Sequence, residues 1–294
     1  LRDGYNADTF QINELTQQKL IASMTGNVQL YSRQGANRAL PDQYVLEIKN
    51  LSAEGLEDIN LRVRKGEVLG IAGLEGSGKK LLAYCCFGLM KYKSGLIKKN
   101  GAPVVLHSPI QAIRHNIGLV PDDRKEMGLA LSKNVTENTI VTRINKNRMT
   151  LISNRWANRE TSNYVRSLGI KCTSIAQLVE YLSGGNQQKV LVAKWLLAQM
   201  DILFLIEPTE GIDVGARADL YGIFRKLSEE GKTLVIATSD IDELLEMSDR
   251  IITMGIGRNL NEDRVENADK KRILADILMM DDERTKKEGQ HELN

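Results

Sequence analysis

The 294 residues are 42% hydrophobic and 27% charged, a composition with ample core that excludes global disorder and a fibrous repeat. Forty Lys and Arg against thirty-eight Asp and Glu leave a formal net charge of +2, too even to argue for a nucleic-acid partner. Cys85, Cys86 and Cys172 lack metal-ligand spacing and suit a reduced compartment as small buried hydrophobes, and no apolar run approaches the roughly 20 residues needed to cross a bilayer, so any membrane role is expected to come through partners.

Taken in chain order, the sequence opens at Leu1 inside what reads as an element, and is expected to be a piece of a longer polypeptide. Gly4, Asn6 and Ala22 meet Gly257, Asn259 and Ala275 when the two ends are set side by side without gaps. The expectation is a tandem duplication in which residues 1–25 close a preceding copy, 26–44 form a linker and 45–280 form the present copy. Strand-like runs then alternate with helical ones: Val68–Ala72, a helix from Lys79, Ile117–Val120, a helix after Asn186, Ile202–Ile206, a further helix, and Thr233–Thr238. That order predicts a wound α/β sheet with parallel strands. After Gly215, Ala216, Leu220, Ile223, Phe224 and Leu227 recur at three- and four-residue steps, one apolar face for the sheet. From about 122 to 185 helical pattern replaces strand pattern, for instance over Trp156–Leu168, and predicts an inserted helical subdomain. Lys98–Ala102 and Asn145–Arg148 read as polar connectors, and 281–294 as a charged, disordered tail.

Gly73, Leu74, Glu75, Gly76, Ser77, Gly78, Lys79 and Lys80 follow one strand and open a helix, the context a phosphate-binding loop requires. Glycines let successive amides turn inward as an anion nest, the helix N-terminus adds its positive end, and Lys79 would reach the outer phosphates. A purely structural glycine turn is the alternative reading. One position departs from the pattern: the loop lysine should be followed by Ser or Thr, whose hydroxyl ligates Mg²⁺, and Lys80 has no lone pair to give.

Leu182-Ser183-Gly184-Gly185-Asn186-Gln187-Gln188-Lys189 resembles the signature motif of ATP-binding cassette proteins. The resemblance implies a P-loop nucleotide-binding fold of that type: a wound mixed sheet, an antiparallel β-subdomain and the helical insertion. It also implies that Ser183, Gly184, Gly185 and Gln187 face ATP held by an opposing module. Downstream, Glu207-Pro208-Thr209 matches the segment whose glutamate polarises the attacking water, and Gly211-Ile212-Asp213 resembles the loop that touches the other module. Against the same pattern, Ile206 replaces the acid that holds Mg²⁺ through water, Ser239 replaces the switch histidine, and Pro121-Asp122-Asp123-Arg124-Lys125 stands where a glutamine is usual.

That last string, followed by Gly128-Leu129, resembles the second halves of tandem sugar-importer ATPases of the ribose, galactose and xylose kind. The resemblance implies ATP as ligand and an importer at the cytoplasmic membrane face, while the departures at Lys80 and Ile206 imply weakened or absent Mg²⁺ binding at this half's own site. Its partners would be the preceding module, transmembrane permease subunits and, indirectly, an external solute-binding protein. A pseudo-ATPase half that only completes its partner's site, and a cassette protein outside transport, are the competing expectations.

Overall fold

The apolar runs Val68–Ala72, Ile202–Ile206 and Leu234–Ala237 become inner strands of the larger sheet, because strands covered by helices on both faces need apolar side chains on both faces. The computed structural model describes residues 39–278, together with Thr9 and Gln11. The readings of residues 1–25 and 281–294 fall outside the described residues, those two positions apart.

An antiparallel hairpin, β1 (Tyr44–Ala53) and β2 (Leu56–Arg64), leads into β3 (Val68–Ala72), α1 (Lys79–Phe87), β4 (Tyr92–Lys99), β5 (Ala102–Val104), α2 (Pro109–Arg114) and β6 (Ile117–Val120). A π-helical turn at Arg124–Gly128 precedes α3 (Val135–Asn147), α4 (Asn154–Ser167) and α5 (Gly184–Leu197). The chain returns to the core through β7 (Ile202–Ile206), α6 (Val214–Glu229), β8 (Thr233–Thr238), α7 (Ile241–Met247), β9 (Arg250–Gly255) and β10 (Arg258–Arg264), and residues 270–278 are helical. One sheet has the order β2-β1-β4-β5 and is antiparallel; the other has the order β10-β9-β3-β8-β7-β6, parallel except for β10. This is the wound α/β architecture with an antiparallel sheet beside it. Loops at the C-terminal ends of β3, β6, β7 and β8 therefore share one edge of the sheet, where ligands of such folds bind.

Three local expectations shift. Lys98 and Lys99 belong to β4, with only Asn100 and Gly101 turning into β5; the buried Lys99 ammonium is held 2.8 Å from Asp201, so polarity there marks an ion pair rather than a connector. Asn145–Asn147 form the last turn of α3, and Arg148 caps it in the left-handed region at φ 51°. The helix expected after Asn186 starts earlier, at Gly184 with Ser183 as N-cap.

Gly55 in the β1–β2 turn, Gly78 in the loop before α1 and Gly257 in the β9–β10 turn all have positive φ and meet at one point. A Cβ on Gly257 would lie 2.2 Å from the Gly55 carbonyl oxygen, and one on Gly78 would lie 2.9 Å from the Gly257 Cα. The amide of Gly257 donates to the Ser77 carbonyl at 2.9 Å, and that of Glu57 donates to the Gly257 carbonyl at 2.8 Å. Only glycine permits this approach, and it ties both hairpins to the glycine loop.

Candidate nucleotide-binding site

The loop between β3 and α1 is wound tightly by its own glycines. Gly76 and Gly78 have φ of 82° and 96°, and a Cβ on Gly73 would meet Ser77 Oγ at 2.4 Å. Leu74, Glu75 and Gly76 are exposed, whereas Gly73, Ser77, Gly78 and Lys79 are buried. The first turn of α1 contains no acidic residue, so the positive end of the helix is left for an anion.

Lys79 is folded back into the protein. Its ammonium donates to the Gly73 carbonyl at 2.9 Å and to Ser239 Oγ at 2.8 Å, and lies 3.1 Å from Glu207 Oε1. Glu207, in the left-handed region at φ 42°, also accepts from the Ser239 amide and hydroxyl, both at 2.9 Å, and from Thr238 Oγ1 at 2.7 Å. Both carboxylate oxygens are thus occupied by donors from β8, its following loop and α1. Ser239, at the position of the switch histidine, hydrogen-bonds the very carboxylate expected to polarise water.

Lys80 points the other way, to the segment after β6. Its ammonium is 2.5 Å from Asp122 Oδ2, and this hydrogen bond raises the lysine pKa. The residues present do not fit Mg²⁺, which demands a near-octahedral shell of oxygens. Lys80 stands where the hydroxyl ligand would be, the Ile206 side chain offers no oxygen, and the Asp122 carboxylate beside Lys80 is already joined to its ammonium, with Oδ1 buried without a hydrogen-bond partner. Among the described residues no cluster of three His, Cys, Asp or Glu could hold a metal. A polyphosphate does fit, since the same corner supplies the amide nest and two ammonium groups.

The signature segment lies at the start of α5, apart from the Lys79–Glu207 cluster. Ser183 is exposed, and its hydroxyl accepts from Asn186 Nδ2 at 2.8 Å instead of capping the helix. Gly184 is half-buried beneath Arg124, whose guanidinium nitrogen would be 2.7 Å from a Cβ there. Gly185 is a packing glycine: a Cβ would come within 2.4 Å of the Ala216 methyl on α6. Gln187 is buried, donating to the Val179 carbonyl at 3.1 Å and accepting from Arg124 Nε at 3.4 Å, so its side chain faces the interior.

Residues that sequence reasoning did not assign complete the cluster. Thr238 bridges the Glu207 carboxylate to the Asp240 amide. Beneath it Glu243 is buried, its carboxyl pushed up to about 7 by desolvation first, despite a 2.8 Å hydrogen bond from Thr209 Oγ1. A glutamate in the first turn of α7, among Ile241, Leu244 and Met247, was the available signal.

Residues 56–210 match the ABC transporter family, and the chain belongs to it. It is 37% identical over 278 residues to a putative ribose/galactose/methyl galactoside import ATP-binding protein of Geobacillus kaustophilus, covering 93% of this chain and 55% of that protein. Over 287 residues it is also 37% identical to the ribose import ATP-binding protein of Clostridium perfringens, with the same two coverages. A xylose import ATP-binding protein of Thermoanaerobacter pseudethanolicus is 36% identical, with 93% and 56% covered. The chain therefore spans about half the length of the curated relatives it matches. Among solved structures, an ATP-binding cassette captured as a dimer bound to ADP and phosphate superposes with a TM-score of 0.66 at 22% identity, covering 75% of this chain and 98% of that one. That likeness is one of fold.

Proposed function

We propose that this chain is the second nucleotide-binding, energy-coupling module of a tandem ATP-binding protein that drives import of a sugar or similar small polar solute. It binds ATP at the glycine loop without a divalent cation, hydrolyses it slowly or not at all, and lends its signature segment to the partner module's ATP. The observation that carries this reading is the Lys80–Asp122 pair, 2.5 Å long, in the place where a metal ligand is required. Mg²⁺ neutralises phosphate charge and templates in-line transfer, so its exclusion slows turnover severely. The printed functions of the relatives, ribose and xylose import, support the transport role and the solute class.

In this reading the partners are the preceding module, permease subunits in the membrane and an external solute-binding protein, and the chain sits at the cytoplasmic face. No described helix is long and apolar enough to cross a membrane. Retention of nucleotide without turnover is favoured over an active site by the Glu207 carboxylate, whose two oxygens are held by four donors. Solute uptake by the full tandem protein with its permease tests the division of labour. Glu207→Gln leaves most of the uptake, whereas Ser183→Glu, a carboxylate on the exposed signature serine, abolishes it. Equal loss in both at matched expression would show that this half's own site turns over.

A further inference from the structure

At the opposite end of the two hairpins from the glycine loop lies a pocket of 520 Å³, lined chiefly by Tyr44, Lys49, Arg62, Arg64, Arg250 and Arg264. Among the described residues, Glu262 is the one acidic residue in the lining. The volume is that of a small-molecule site. For a chain whose total net charge is only +2, five cations on one concave wall are a concentrated positive field.

The fold uses only part of this charge. Arg250 is structural: it joins Glu67 at 2.8 Å and Glu262 at 2.7 Å and donates to the Arg62 carbonyl, stitching the two hairpins together. Arg62 has Glu47 at 3.7 Å. Lys49, Arg64 and Arg264 have no carboxylate within ion-pair distance among the described residues. Register makes the crowding worse. Arg250 and Arg264 are directly opposed across β9 and β10, and Arg62 and Arg64 follow one another on the same face of β2, each with its guanidinium 5.6 Å from the Tyr44 ring centre. Like charges in such positions are destabilising unless an anion lies between them.

We propose that this pocket binds a small solute carrying two phosphate groups. Planar guanidinium groups on two different hairpins match two phosphates: Arg62 and Arg64 receive one and Arg264 the other, by bidentate charge-assisted hydrogen bonds, with the Lys49 ammonium adding a point charge to the second. The site is separate from the glycine loop. Nine residues of β2 separate Gly55 from Arg64, about 30 Å at strand rise, and Arg250 and Arg264 likewise stand at the far end of the hairpin whose turn holds Gly257. This proposal does not depend on the transport reading.

Calorimetry on the 294-residue chain without divalent cations, with inorganic pyrophosphate and a hexose bisphosphate as probes, tests it. The expected result is binding of at least one probe that persists when the glycine loop is saturated with ATP, persists in Lys79→Ala, and weakens by at least about tenfold in the Arg64→Ala/Arg264→Ala double variant. Equal binding of both probes assigns recognition to the phosphates alone, and preference for the bisphosphate assigns part of it to the sugar. ATP affinity of the double variant, expected unchanged, reports that it is folded. Displacement of the probe by ATP, unchanged affinity in the double variant, or no binding of either probe at millimolar concentration would overturn the proposal.

Discussion

The ammonium of Lys79 lies 3.1 Å from Oε1 of Glu207, so the side chain that would grip an outer phosphate and the one that would polarise a water neutralise each other. Beside them Lys80 does the same with Asp122. Two lysines and two acids therefore form closed pairs on the floor of the nucleotide site. An arriving polyphosphate competes for the ammonium groups, and the acids that would recruit a metal or a water are held by donors already present.

The Lys80–Asp122 pair explains the poor fit for Mg²⁺, and one substitution reverses it. Lys80→Thr restores a hydroxyl beside a carboxylate that has lost its cation, a donor set suited to a hard divalent ion. ATP binding by this variant becomes strongly dependent on Mg²⁺, with affinity at least about tenfold higher in its presence than with a chelator. Titration calorimetry reads this directly, and a variant indifferent to Mg²⁺ would remove Lys80 from the explanation.

A Cβ on Gly185 would come within 2.4 Å of the Ala216 methyl on α6. Gly185→Ala overpacks that contact and lowers stability by about 1–3 kcal/mol. Pairing it with Ala216→Gly relieves the clash and recovers part of the loss, less the cost of the new helix glycine. Denaturant melts of the two single variants and the double one close the cycle; strict additivity would show that the residues do not interact.

Glu243 introduces a pH dependence of definite sign. Its folded pKa of about 7 stands above the ordinary value near 4.3, because burial outweighs the threonine hydrogen bonds, with Asp240 raising it and Arg217 lowering it. Folding takes up a proton between those values, so the contribution to stability is complete below about pH 4.3 and is lost as pH rises through 7, on the order of 3–4 kcal/mol. Glu243→Gln, which keeps an acceptor for Thr209, flattens this part of the stability profile. An unchanged slope in the variant between pH 5 and 7 would assign the dependence to other groups.

The parallel strands were legible because VLGIA, ILFLI and TLVIAT are unbroken apolar runs, and the glycine loop because its residue types recur at a fixed spacing. The apolar stripe of α6 was legible for the same reason, with Leu220, Phe224 and Leu227 buried as the periodicity requires. The pairings were not. Lys80 and Asp122 are 42 residues apart, and Lys79 and Ser239 are 160 apart, so only the folded sheet edge brings them together. Polarity also misled in two places. Lys99 lies in a strand because Asp201 receives its buried ammonium, and Gln187 faces inward because Val179 and Arg124 satisfy its amide. A sequence gives residue type but not the partner that makes burial of a polar group tolerable.

The central claim is that this module holds ATP with its own ammonium groups in place of a metal, and titration calorimetry of the unmodified chain tests it most directly. ATP is titrated in excess Mg²⁺ and again in excess chelator, with phosphate release followed in the same samples. The account predicts affinities within a fewfold of each other and negligible release under both conditions. A large loss of affinity on chelation, or steady Mg²⁺-dependent release that Glu207→Gln abolishes, would contradict it.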